Sequence, residues 1–172
     1  MSFVSTLSAE DANSYVDVAA ADSYFLTRIN SGWWTALTLV QKQAFLVTAT
    51  LALETWVEFR GIPDVETQSL HFPATGEDCK GKALPDGSIP TQLLHAVCEQ
   101  ASYYNGLDAT ELPPALLQGL SSASVGSLSV SFNRMNIAGR IGETAKGLIA
   151  CIGHLRPGAT SGGSGSFLIR RI

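Results

Sequence analysis

The sequence predicts a mainly α fold: a helical bundle around one long central helix, with a β-hairpin and an extended C-terminal arm. Three observations carry this. An apolar run with helical spacing fills Thr38–Gly61 between clear start and stop signals. The spacing switches to strict alternation in Ser121–Phe132. A Gly/Ser tether then precedes a short apolar and basic C-terminus, Phe167–Ile172.

In the central helix, Thr38 is a cap and Gln41 completes a capping box, while Gly61 and Pro63 are stop signals. One stripe runs Val40, Ala44, Val47, Leu51 and a second runs Phe45, Ala49, Ala52, Trp56, Phe59. Together they predict a mostly buried helix, with Gln43, Thr50, Glu54 and Glu58 as a narrow polar stripe. Lys42, Glu54 and Glu58 interrupt the ~20-residue apolar run that a bilayer requires, so no membrane span is expected.

In chain order, residues 1–13 read as a loose or extended leader. Asp17 caps a first helix from Val18 to about Ile29, with Val18, Ala21, Phe25 and Ile29 on one face. Trp33 and Trp34 fall in the short connection after Gly32, either as a partner anchor or as a cover over one end of the core. Residues 62–89 form a long Gly-, Pro- and acid-rich connection in which Leu70-His71-Phe72-Pro73 is apolar enough to dock. Pro90 opens a third helix to Asn105 with Leu93, Leu94, Val97, Ala101 and Tyr104 on its apolar face, and Pro113-Pro114 break the chain.

The alternation of Leu128, Val130 and Phe132 with serines, and the turn-forming Gly126-Ser127, predict a hairpin over about 121–133. A lone hairpin is marginal in water, so Val125, Leu128, Val130 and Phe132 are candidates for pairing between subunits. A weak fourth helix is expected across Gly142–His154, with Ala145, Leu148, Ile149 and Ile152 facing inward. The expected organisation is a leader (1–13), a helical domain with the hairpin (14–135), a short C-terminal helix (136–155), and a tether with a docking arm (156–172). In that arm Phe167, Leu168, Ile169, Arg170, Arg171 and Ile172 suit strand addition to a partner, the alternative being a disordered terminus.

Charge divides the chain. Residues 1–133 carry −9 and residues 134–172 carry +5, which together give the net −4. An acidic body repels phosphate, whereas a basic tail seeks nucleic acid or an acidic protein surface, unless it is simply solvated. Cys79, Cys98 and Cys151 are odd in number and widely spaced, so reduced thiols in a cytosolic setting are expected rather than a disulfide or a zinc site. Met1 is followed by no secretory signal pattern.

Catalytic and cofactor chemistry is not expected. Gly76–Ala83 nearly spells a phosphate-binding loop, but Ala83 lacks the magnesium-binding hydroxyl and no helix begins at Leu84-Pro85. Gly162–Gly165 has no βαβ frame around it. His71, His95 and His154 have no metal-ligand spacing. An enzyme would need an activity tied to His95 or Cys98, and no local signature supports one.

Asn13-Ser14-Tyr15-Val16-Asp17-Val18, then Ala21-Asp22-Ser23-Tyr24-Phe25, resembles the N-terminal signature of a family of tailed-phage proteins. The likeness continues through Trp34, the helix ending Trp56…Arg60-Gly61, the Leu70-His71-Phe72-Pro73 segment, and Ile89-Pro90 before a helix with Ala96, Glu99 and Ala101. It spans about residues 12–133, leaving 134–172 as an extension. Ala74 stands where the family often has Arg, so any role of that Arg is lost. These proteins resemble head–tail connector adaptors, some of them labelled by similarity as DnaT-like single-stranded DNA-binding proteins. The resemblance implies a virion protein at the head–tail junction, made in the host cytoplasm and assembled as a ring, usually of twelve copies, beneath the portal protein. Such a ring passes genomic double-stranded DNA without specific binding and receives a stopper or tail-completion protein, with no membrane partner. The alternative is a single-stranded DNA-binding protein acting in replication, which needs basic residues interleaved with aromatics.

Overall fold

The computed structural model describes residues 2–29, 31–106, 122–125, 128–131 and 140–156. Five helices appear among them: α1 (Val18–Leu26), α2 (Gly32–Thr35), α3 (Leu39–Trp56), α4 (Thr91–Gly106) and α5 (Glu143–Ile149). Six short strands, β1 (Val57–Phe59), β2 (Ile62–Pro63), β3 (Ala74–Thr75), β4 (Ser122–Val125), β5 (Leu128–Ser131) and β6 (Gly153–Leu155), pair antiparallel as β1–β6, β2–β3 and β4–β5. The described residues are thus partly helical with small two-stranded sheets, which is compatible with a mainly α fold. The hairpin stands where alternation put it, with Val125 opposite Leu128 and Ala123 opposite Val130. Phe132, Pro113-Pro114, the tether and Phe167–Ile172 lie outside the described residues.

The start of α3 is as read. Thr38 accepts the Gln41 N–H through its hydroxyl at 3.4 Å, and the Gln41 side chain accepts the Thr38 N–H at 2.9 Å. Its end is not. The helix stops at Trp56, where Val57 turns extended (φ −113°, ψ 137°), and Val57–Phe59 pairs with Gly153–Leu155. The β-branched Val57 and aromatic Phe59 suit a pleated surface, and the partner strand outweighs helix continuation. Gly61 is accordingly no helix cap. It turns the chain from β1 to β2 at φ +93°, where an added Cβ would lie 2.9 Å from the Thr75 carbonyl oxygen.

The buried face of α3 also differs from expectation. Leu46, Ala49, Thr50, Ala52 and Leu53 are buried, whereas Val40 and Leu51 are 72% and 63% exposed. Full burial of Leu46 and Leu53 is worth about 1.5–3 kcal/mol each, which sets the rotation of the helix. Thr50 belongs to the core because its hydroxyl accepts the Tyr15 N–H at 3.3 Å, and Glu54 accepts from the Tyr15 hydroxyl. Burial and the adjacent Glu54 carboxylate push the Tyr15 phenol well above its ordinary value. Two apparently polar positions therefore serve the interior.

Other elements need smaller corrections. The leader is tied down: Asn13 accepts the Val4 N–H at 3.0 Å and donates to the Ser2 carbonyl at 2.7 Å, and Ser69 donates to the Ala12 carbonyl at 2.5 Å. α1 ends at Leu26, and Ile29 is 92% exposed rather than on the buried face with Ala21 and Phe25. Within residues 62–89, Phe72 is buried ahead of a cis Phe72–Pro73 bond, and Gln68 donates to the carbonyls of Leu70, His71 and Pro73. The fourth predicted helix is shorter, as Glu143–Ile149 gives way to β6.

Cys79 and Cys151 form a disulfide, contrary to the expectation of reduced thiols. Their 72-residue separation concealed it, since spacing reveals only local pairs. The loop brings them together. Asp78 accepts the N–H groups of Lys80 and Lys82 at 2.8 and 3.0 Å, and Cys79 N–H donates to the Cys151 carbonyl at 2.9 Å. Those donors hold the Asp78 carboxyl below its usual range. The near-P-loop segment is thus a braced turn.

Candidate nucleic-acid interface

The strand β1 continues directly from the end of α3, and β6 from the turn after α5. In an antiparallel pair, opposed residues share a face. Val57 and Gly153 are buried and Phe59 half-buried, so that face turns inward. A Cβ on Gly153 would meet Val57 at 2.7 Å, so only glycine allows β6 to lie this close. The opposite face turns to solvent. It carries Glu58 opposite His154, both more than 60% exposed, with their side chains 3.2 Å apart.

At one end of this ribbon Arg156 N–H donates to the Trp56 carbonyl at 2.9 Å, and at the other Arg60 N–H donates to the Ile152 carbonyl at 2.8 Å. The Arg140 guanidinium sits over the half-buried Trp56 indole, 4.1 Å from its centre. Its position is set from the core. The buried Gln100 side chain donates to the Arg140 carbonyl at 3.1 Å and accepts the Gly142 N–H at 2.9 Å. Arg60, Arg140 and Arg156 are all exposed, and among the described residues none is paired with a carboxylate. The cations also complement the negative C-terminal end of α3. Chemically this is one guanidinium seated on an indole, with two further exposed arginines on the same ribbon, a local group of cations suited to meeting phosphates.

The site residues expected from sequence are differently placed. Trp33 and Trp34 lie in α2 rather than a loop. Trp34 is buried, and its Nε1–H donates to Asp22 at 2.6 Å. Lys42 reaches the same carboxylate at 2.8 Å and lies 5.4 Å over the Trp34 ring. Hydrogen bonding from Lys42, then from Trp34, lowers the Asp22 pKa against a smaller desolvation. Trp33 is half-buried among Phe25, Trp34 and Phe45, with ring centres 5.2–5.6 Å away. This pair covers one end of the core, and Trp34 cannot be a surface anchor. Val125, Leu128 and Val130 lie on the paired hairpin strands.

His95 stacks against Tyr24 at 4.8 Å. Cys98 is buried, which pushes its thiol up to about 12. Among the described residues there is no group of three or more His, Cys, Asp or Glu placed to hold a metal, and no helix long and apolar enough to cross a membrane.

Over residues 3–172 the chain matches the profile of a family described as "Putative DnaT-like ssDNA binding protein". The chain belongs to that family. The match extends beyond the expected 12–133, so the basic segment 134–172 is part of the family's length rather than an addition to it. The description agrees with the DNA-binding alternative and lends no support to the head–tail connector reading. No curated protein and no solved structure matches the chain.

The Trp56 ribbon was missed in the sequence because its members are scattered over a hundred residues. The available signal was Val57-Glu58-Phe59, an alternating triplet at the end of a helical pattern, with a second such triplet at Gly153–Leu155.

Proposed function

We propose that this protein binds single-stranded DNA, with Trp56, Arg140, Arg156 and Arg60 on the contact surface and the rest of the basic segment 134–172 extending it. The observation that carries this reading is the Arg140 guanidinium over the Trp56 indole, on a ribbon that also carries Arg156 and Arg60, none of the three with a carboxylate partner among the described residues. The family description supports the same reading. The acidic remainder of the body favours a strand confined to this one surface, because phosphate is repelled elsewhere. No catalysis, cofactor or metal enters the proposal.

Fluorescence anisotropy with a labelled single-stranded oligonucleotide tests it. The expected result is binding that weakens steeply with salt, with lower affinity at low salt and a shallower salt slope in the Arg140→Ala/Arg156→Ala double variant than in an Arg28→Ala control. Absence of binding at low salt rejects it.

A second reading is the connector: a ring under a portal, with the hairpin pairing between copies and the arm docking on the portal, in a virion. It is favoured by the −9 charge of residues 1–133, which suits a wall that DNA slides past, and by a hairpin whose strands need neighbours. Light scattering of the protein mixed with its portal separates the two. Many copies per ring, with no oligonucleotide binding, selects the connector.

A further inference from the structure

The outer face of α3 is an uncharged apolar strip. Leu39, Val40 and Leu51 are 60–72% exposed, Ala44 and Thr48 are exposed between them, and Val47 is half-exposed. The only charged side chains on α3 are engaged away from the strip, Lys42 with Asp22 and Glu54 with Tyr15. Ala44 and Thr48 form a low ridge between two grooves of about 310 and 240 Å³, neither lined by a charged residue. Phe3 closes the first groove, and Phe45 and Tyr104 the second.

We propose that this strip is the docking site of residues 167–172 of the same chain. Points of geometry and composition select that occupant. Arg156 is fixed by its hydrogen bond to the Trp56 carbonyl, so the remaining chain departs from the C-terminal end of α3, one to two turns from Leu51. The ten tether residues 157–166 reach at most about 33 Å when extended, and the strip from Leu51 to Val40 is only about 17 Å long. The segment Phe167–Ile172 spans about 20 Å as an extended chain, which matches that length. Its Phe, Leu and Ile side chains supply the apolar cover that the exposed Val40 and Leu51 lack. A Gly/Ser-rich tether of this length holds the segment at an effective concentration of the order of millimolar, favouring the chain's own segment over a neighbour's in dilute solution.

The test uses the full chain with Ser166→Cys carrying a nitroxide, since Cys98 is buried and the other two cysteines are bonded. Backbone amide signals of Val40, Ala44, Val47 and Leu51 are expected to lose about half their intensity or more, the mark of a segment docked most of the time at the effective concentration of its tether. Leu51→Glu, at a site 63% exposed and therefore safe for folding, is expected to restore them. Broadening that disappears in an excess of unlabelled chain assigns the strip to a neighbouring copy and overturns the proposal. So does an absence of selective broadening, or broadening that Leu51→Glu leaves unchanged.

Discussion

Two tryptophans of this chain carry a cation over the indole, and their surroundings differ in every other respect. Trp34 is 1% exposed, and its N–H and the nearby Lys42 both end on Asp22. Every polar group there is satisfied within the fold, so the arrangement closes one end of the core. Trp56 is half-buried, and Arg140 over it has no carboxylate partner among the described residues. The comparison teaches that an aromatic–cation pair is structural when an anion completes it, and available for an external phosphate when none does.

Substitutions sharpen this contrast, and the largest effect belongs to the closed pair. Trp34→Ala is expected to lower stability by about 3–5 kcal/mol, read by urea unfolding, because it empties a fully packed site. Cys79→Ser, which opens the disulfide, is expected to cost about 4 kcal/mol on the loop-entropy relation for a 72-residue separation. Cys151 lies two residues before the ribbon strand, but the substitution leaves the Cys79 position its backbone N–H for the Cys151 carbonyl, so oligonucleotide affinity measured on the folded fraction should hardly change.

At the open pair the balance reverses. Trp56→Ala is expected to weaken oligonucleotide binding by about 0.5–1 kcal/mol, the worth of the cation–aromatic contact that seats Arg140, with a smaller loss of stability than Trp34→Ala. An equal loss of affinity in both variants, measured on folded protein, would erase the distinction between the two sites. Acid gives the smallest effect. Lys42 and Trp34 hold the Asp22 carboxyl below its usual 3.8, so its stabilising share is present above 3.8 and is lost as pH falls from there through the lowered folded-state value. In Asp22→Asn the melting temperature should therefore fall less than in the natural chain as pH is lowered below about 4. The change should be modest because the carboxylate is 42% exposed.

Several elements were legible because their determinants are local. The capping box at Thr38 and Gln41, the opening of α4 after Pro90, and the hairpin register each depend on residues a few positions apart. The rotation of α3 was not legible, since an apolar residue every third or fourth place circles nearly the whole helix. What fixed the face was tertiary: Tyr15 claimed Thr50 and Glu54 for the interior, leaving Val40 and Leu51 outside. The β1–β6 ribbon and the Cys79–Cys151 bond depend on partners 72 to about 100 residues away, and no local pattern encodes such a pairing. The candidate site was legible only in outline, as a basic C-terminal segment. That Arg140 and Arg156 return to Trp56 follows from Gln100 and Gly153, residues whose roles appear only in three dimensions.

The most direct measurement is the salt dependence of single-stranded oligonucleotide binding by the full chain and by the Arg140→Ala/Arg156→Ala variant. With about 0.7 counterions released per neutralised phosphate, Arg60, Arg140 and Arg156 alone predict a log–log slope of about −2, made steeper by any contact from the basic C-terminal segment. The account predicts that the double variant flattens the slope by about 1.4. Equal slopes in the two proteins, or binding that does not respond to salt, would contradict it.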